Sequence, residues 1–327
     1  MIGYNTKKTK DLEKISDEDG IIRAVGIGTI GKIAHYLANM LDTSTFNVLH
    51  EVKEFKKLVI EELSHFYSAI STDAEIGLPI FESYERKNCG LILSVQDRKN
   101  DRSVPTEEDT EINLISLKSE RYWKNETINA YKLTLHYRDE LQEEVKEKLK
   151  ETAILIGQLC QKIQKPYILE IICFPLSEET ELDFAKKLPD AIIKIAEHFS
   201  ERVYSADILK IDFPADLRYC KSFSRGNRMM LYSLSEVEDF CKSVTEASKI
   251  PWVVLSGGGD IEQFKIKVEI SSRNGASGFL GGRALWLDAL NEYPDKSKMR
   301  DWLKNKGKEY YETLLNCSRE GRPIFSK

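Results

Sequence analysis

ADILKIDFP, residues 206–214, is an apolar run of strand type with a lysine at its centre and a proline at its end. Buried parallel strands read as near-continuous apolar runs, and proline does not continue a central strand. An ammonium inside such a run is costly to desolvate, so Lys210 calls for a reason. Working outward, the next run downstream is WVVL, 252–255, which leads into Ser256-Gly257-Gly258-Gly259. Upstream lie YILEIIC, 167–173, with Glu170 inside it, and AYKLTLH, 130–136, with Lys132 inside it. Segments with apolar residues at helical spacing separate them: Asp139–Gln164, Leu182–Phe199, Leu234–Ala247 and Ile261–Arg273. Short apolar runs alternating with helical segments are the pattern of repeated βα units.

Four more runs complete the set: Ile21–Ile27, Ser68–Thr72 closing on Asp73, Gly90–Val95 and Ala276–Leu280. A further helical pattern lies around Val52–Leu63. Eight strands predict a single (β/α)8 TIM barrel, which typically needs about 250 residues. One domain over 1–327 is expected, with an N-terminal extension 1–19 and a polar helical tail 288–327 broken at Pro294 and Gly307. Gln96–Asp109 reads as an exposed loop. Ile112–Glu126 has no assignable pattern. A doubly wound open sheet is the competing fold, because Gly26-x-Gly28-x-x-Gly31 follows the first strand with dinucleotide-fingerprint spacing. No acidic residue ends a clear second strand about 20 residues on, so the match is weak.

The 327 residues carry 48 basic and 53 acidic side chains, a net charge of −5, which argues against broad binding to nucleic acid or anionic membranes. The N-terminal stretch lacks an apolar signal-type core, and no run of about 18 apolar residues occurs; a cytoplasmic protein with no membrane partner is expected. Cys89, Cys160, Cys173, Cys220, Cys241 and Cys317 are scattered without a CxxC pair, as reduced filler thiols would be. The five histidines show no ligand spacing, so neither a metal nor another cofactor is expected. Assembly into a homo-oligomer is an expectation by analogy alone.

In a barrel, alternate strand residues point inward, and those near the C-terminal mouth line the site. Burial and a second cation, Lys132, are expected to depress the Lys210 pKa and free an amine that attacks a ketone to form an imine. Glu170 would serve as general acid/base for carbinolamine dehydration. The bland alternatives are a snorkelling lysine and a buried Lys–Glu pair of structural use only. A second constellation follows strands seven and eight: Ser256-Gly257-Gly258 and Gly281-Gly282-Arg283. Barrels bind phosphate at these two loops through backbone N–H groups and a helix N-terminus, and an arginine adds a forked contact. Ordinary turn chemistry is the alternative for the glycines.

The stretches ADILKIDFP, IPWVVLSGGG and NGASGFLGGRALW, with YSAISTDAEIGLP and EELSHF before them, resemble the class I (Schiff-base) aldolase family that includes the tagatose-1,6-bisphosphate and sulfofructose-1-phosphate aldolases. The resemblance runs from about Gly20 to Trp286. It implies a barrel, no metal, and cleavage of a phosphorylated ketose to dihydroxyacetone phosphate and an aldehyde. It also implies Lys210 as the imine-forming lysine, Glu170 as acid/base, Lys132 as the assisting lysine, and phosphate contacts at Ser256, Gly257, Gly282 and Arg283. One departure stands out: the family's aspartate–glutamine–arginine run after strand one is replaced by Gly28, Thr29 and Ile30. Three readings follow: an aldolase for a six-carbon ketose bisphosphate, one for another phosphorylated ketose such as a sulfonated sugar, or a degenerate barrel that binds a sugar phosphate without turning it over.

Overall fold

A computed structural model describes residues 6–84, 88–96, 114–115, 119–223 and 229–325. Eight parallel strands pair in chain order, and the last closes on the first: β1 Ile22–Gly26, β2 Ala69–Thr72, β3 Gly90–Ser94, β4 Ala130–His136, β5 Tyr167–Ile172, β6 Ile208–Ile211, β7 Trp252–Leu255 and β8 Gly278–Gly281. The pairing of Ile22 with Gly278 and of Ala24 with Leu280 seals the barrel and removes the open-sheet alternative. Each expected strand is present, with ends shifted by at most two residues.

The helices are α1 Thr6–Ile15, α2 Gly31–Leu41, α3 Leu49–Leu63, α4 Gly77–Ser83, α5 Glu120–Trp123, α6 Glu143–Ile163, α7 Glu181–Phe199, α8 Leu234–Ala247, α9 Ile261–Arg273, α10 Lys296–Trp302 and α11 Lys308–Cys317. Their starts are written locally. Thr180 with Asp183, and Ser233 with Glu236, form reciprocal capping boxes that satisfy the first free N–H groups of α7 and α8. Of the unassigned stretch Ile112–Glu126, the described part holds the single turn α5. The expected loop Gln96–Asp109 lies outside the described residues beyond Gln96.

Period-2 alternation divides the apolar residues into two cores. Leu133, Leu169, Leu209, Val254 and Phe279 face outward and pack with the helices, where Ile156, Ile192, Val237 and Phe264 meet them. Ile22, Ala24, Ala69, Ile92, Ala130, Ile168, Ile208, Val253 and Leu280 belong to a separate cluster with Leu12 and Ile15 of α1 and with Ile324. α1 and Ile324 therefore plug the lower end of the barrel. Gly90 is required there, because a Cβ at that position would stand 2.4 Å from the Lys14 carbonyl oxygen. Ile324 N–H donates to the Gly20 carbonyl at 3.0 Å, and Arg23 Nε donates to Ser318 Oγ at 2.7 Å. The expected break at Gly307 does not occur. A π-turn over Leu303–Gly307 carries α10 into α11, and the glycine admits Leu63 of α3, whose Cδ2 would lie 2.9 Å from a Cβ.

Candidate active site

Inward positions nearer the C-terminal ends of the strands are polar. Thr134, Glu170 and Lys210 stand level on β4, β5 and β6. Lys132 lies two residues below Thr134 on the same inward face, and its long side chain reaches the same carboxylate. Both lysines hydrogen-bond to Glu170: Lys132 Nζ to Oε2 and Lys210 Nζ to Oε1. Thr134 Oγ1 donates to Oε2 at 2.7 Å and receives Lys132 Nζ at 2.9 Å. Gln96 fixes Thr134 in turn, accepting its N–H at 2.7 Å and donating to its carbonyl at 2.5 Å. All three charged groups are buried. Burial alone would push the Glu170 carboxyl up, but the two flanking ammonium groups overcome it and hold the group well below the usual carboxylate range. Lys132 is thus the second cation expected near Lys210, but each lysine bonds its own oxygen of the one carboxylate.

Above this floor opens a mouth of about 510 Å³. Lys132, Glu170, Lys210, Ser256, Gly257, Gly258, Gly282 and Arg283 all line it, so every site residue expected from sequence is brought together. The two glycine loops are joined to each other: Gly282 N–H donates to Ser256 Oγ at 3.2 Å. Gly257 and Gly258 have φ of +65° and +75°, a region that side chains with a Cβ rarely adopt. The Arg283 guanidinium lies directly on Gly258, where a Cβ would stand 2.2 Å from Nη2. On the neighbouring glycine, a Cβ at Gly257 would stand 3.4 Å from Lys267 Nζ. Two cations therefore flank the loop. Burial lowers the pKa of both, and for Lys267 the charge of Asp212 works against that.

The start of α9 follows the Ser256–Gly259 loop directly, and its Gln263 lines the mouth. Asp260 caps α9 by accepting the Gln263 N–H at 2.8 Å, and β8 leads only into a single 3₁₀ turn, Arg283–Leu285. Arg283, Lys267 and the two glycine loops thus lie side by side on one wall of the mouth. Lys267 was not singled out from sequence, because on α9 it reads as one more surface lysine. Asp212 was also missed, although period 2 from Lys210 points it inward to the same mouth. Its Oδ2 accepts the Cys173 N–H at 2.9 Å, and burial raises its pKa to about 6 against that bond and the charge of Lys267.

At the end of β1, Gly28 and Thr29 line the mouth with Lys32 from α2. The nearby acid, Asp73, is turned away: Oδ2 holds the buried Lys56 ammonium, and Oδ1 receives Ile76 N–H at 2.7 Å. Among the described residues, no group of three or more His, Cys, Asp or Glu side chains is placed to hold a metal ion, and no helix is long and apolar enough to cross a membrane.

Residues 35–288 match the family model described as DeoC/LacD family aldolase. The tagatose 1,6-diphosphate aldolase of Lactococcus lactis subsp. lactis is 28% identical over 318 residues, covering 94% of each chain. Tagatose 1,6-diphosphate aldolase 1 of Enterococcus faecalis is 28% identical and covers 100% of this chain and 99% of its own. Among solved structures, a fructose-bisphosphate aldolase from Plasmodium falciparum superposes with a TM-score of 0.66 at 12% identity, covering 100% of this chain and 98% of that one. A Schiff-base-forming fructose-1,6-bisphosphate aldolase superposes with a TM-score of 0.52 at 15% identity, covering 90% and 97%. At these identities the structural likeness speaks for the fold.

Proposed function

The chain belongs to the DeoC/LacD family of aldolases and is a carbon–carbon lyase, and from that premise we propose that it cleaves a phosphorylated ketose through an imine on Lys210. The observation that carries this reading is the buried Lys132–Glu170–Lys210 cluster on the floor of the mouth. A structural ion pair needs one cation for one carboxylate. Here a second buried ammonium sits at the same carboxylate, at the desolvation cost of a further ion, and it opens to the cavity. That arrangement suits chemistry at a lysine nitrogen. Glu170, bonded to Lys210, takes the ammonium proton, the freed amine adds to the ketone carbonyl, and the carbinolamine loses water with a proton returned by the same carboxyl. Lys132 keeps Glu170 in place throughout and holds a substrate hydroxyl. Ser256, Gly257, Gly258, Gly282 and Arg283, with Lys267 beside them, receive the substrate phosphate.

A ketose bisphosphate of the tagatose type, giving dihydroxyacetone phosphate and an aldehyde, is the substrate class that the named relatives favour. The test is borohydride reduction in the presence of dihydroxyacetone phosphate, followed by peptide mass mapping. A stable adduct on Lys210, absent from Lys210→Met, is the expected result. An adduct on another lysine, or none in folded protein, sinks the assignment.

A further inference from the structure

We propose that Asp212 is the proton carrier of the carbon–carbon step: it takes the C4 hydroxyl proton as the bond breaks and returns it to the enamine carbon left behind. This rests on the Lys210 imine proposed above.

The inference begins from what the reaction needs after the imine has formed. One group must accept the hydroxyl proton, and one must protonate the nucleophilic carbon; a single carboxyl serves both if it can exist in either form. Three carboxylates line the mouth among the described residues. Glu170 is committed at the nitrogen: its two oxygens hold Lys210, Lys132 and Thr134. Asp216 caps the short turn at Leu217–Tyr219 and is clamped by Arg218, whose Nη2 donates at 2.6 Å. Asp212 alone has an oxygen to spare. Oδ2 accepts the Cys173 N–H, while Oδ1 takes part in no hydrogen bond among the described residues.

Its position fits the task. Asp212 is two residues beyond Lys210 on the same inward face, and its Oδ1 would stand 4.0 Å from a Cβ on Gly257, so it lies between the imine nitrogen and the anion loop. The carbons of a substrate anchored at both points run past it. Position and environment agree, because burial keeps the carboxyl able to take and release a proton near neutrality. The charged groups facing it are Lys210 on its own strand, Glu170 on β5 and Lys267 on α9. A phosphate arriving beside it adds negative charge and favours the protonated form further. The end of β1, where Gly28 stands, offers no carboxyl, and Asp73 is consumed by Lys56 and the turn at Ile76.

The step balances. From the Lys210 iminium, the Asp212 carboxylate takes the C4 hydroxyl proton. The C4–O bond becomes the aldehyde carbonyl, and the C3–C4 pair becomes the C2–C3 double bond, with the C2–N π pair drawn onto nitrogen. After the aldehyde leaves, C3 takes the proton from the Asp212 carboxyl and the iminium re-forms. Water then hydrolyses it, releasing the triose phosphate and the Lys210 amine.

The experiment follows dihydroxyacetone phosphate in deuterium oxide by NMR, reading deuterium entry at the imine-adjacent carbon, alongside borohydride trapping on the same samples. Asp212→Asn is expected to trap as the wild type does and to lose exchange by 100-fold or more. Asp212→Glu, which keeps a carboxyl, should recover part of it. In the wild type, exchange should rise with pH as the carboxylate forms, at or above the value of about 6 of the ligand-free site because the bound phosphate favours the protonated form, and the Asn variant should lack that rise. Unchanged exchange in Asp212→Asn overturns the proposal, as does loss of trapping in a variant that melts like the wild type, since Asp212 would then act on the imine itself. Failure of the wild type to trap at all overturns the Lys210 reading, and this inference with it.

Discussion

The lower and upper halves of the barrel interior are built from the same eight strands, in the same alternation, and could hardly differ more in chemistry. Below, Ile168 and Ile208 sit among aliphatic neighbours sealed by Leu12, Ile15 and Ile324. One inward step higher on the same two strands stand Glu170 and Lys210. Two residues of rise, about 7 Å, separate a dry plug from a charged floor. The lower half is paid for by burial of apolar area, whereas the upper half desolvates charges whose mutual attraction offsets much of that cost without making the cluster a net source of stability. Stability and reactivity are thus divided by height along the barrel axis, as they are by face in barrel enzymes generally.

The strongest way to break this contrast is to remove the carboxylate that makes the floor tolerable. Glu170→Gln leaves Lys132 and Lys210 buried without their shared anion. Loss of one partner from a buried pair costs about 3–5 kcal/mol of stability, and loss of a positioned acid/base costs about 10²–10⁴ in kcat. Both should appear together, in urea melts and in single-turnover cleavage. The stability has a pH signature. A carboxyl whose folded pKa is depressed contributes above its unfolded value, near 4, and that contribution is lost as pH falls through the depressed folded value. Wild-type stability should therefore drop steeply below about pH 4, and the Gln variant should lack that component. A variant with normal stability and reduced kcat would mean that the cluster carries no structural load.

Arg283→Ala probes the wall of the mouth rather than its floor. Arg283 lies on Gly258 beside the cavity and contributes little to the apolar core. A charge-assisted contact is worth about 1.5–3 kcal/mol, so KM for the phosphorylated substrate should rise by about 10- to 100-fold with a smaller change in kcat. An unphosphorylated ketose should show no such rise. Equal effects on both substrates would remove Arg283 from the anion pocket and leave Lys267 as its principal cation.

How much of this was legible in the chain follows the same division. The barrel could be read because lower-layer and outward residues are bulky and apolar, and their short runs alternate with helical segments. Lys132, Glu170 and Lys210 could be read for the opposite reason: charges inside apolar runs violate the pattern. Asp212 escaped notice because it ends its strand, where an acid before Phe213-Pro214 passes for turn chemistry. Lys267 escaped because it belongs to a helix, and only the fold brings its ammonium to Gly257. The plugging of the barrel by α1 and Ile324 was illegible in principle, since it joins the two ends of the sequence. Contacts of that separation carry no local period.

The gentlest prediction sharpens the contrast most. Ile168→Val removes one methylene from the lower interior, one inward step beneath Glu170. Such a change typically costs about 0.5–1.5 kcal/mol. If height along the axis separates stability from chemistry, the whole effect should fall on the melt, with kcat, KM and borohydride trapping at wild-type values below the transition. Ile168 shares a cluster with Ala130, Ile208 and the residues of α1, while its register partner on β4 is Lys132, so Lys132 is the route by which a void there could reach the floor. Should kcat fall as well, the floor would be shown to lean on the plug: the Glu170 carboxylate would owe its place to the packing under β5 as well as to its two lysines. The two halves of the interior would then be one mechanical unit.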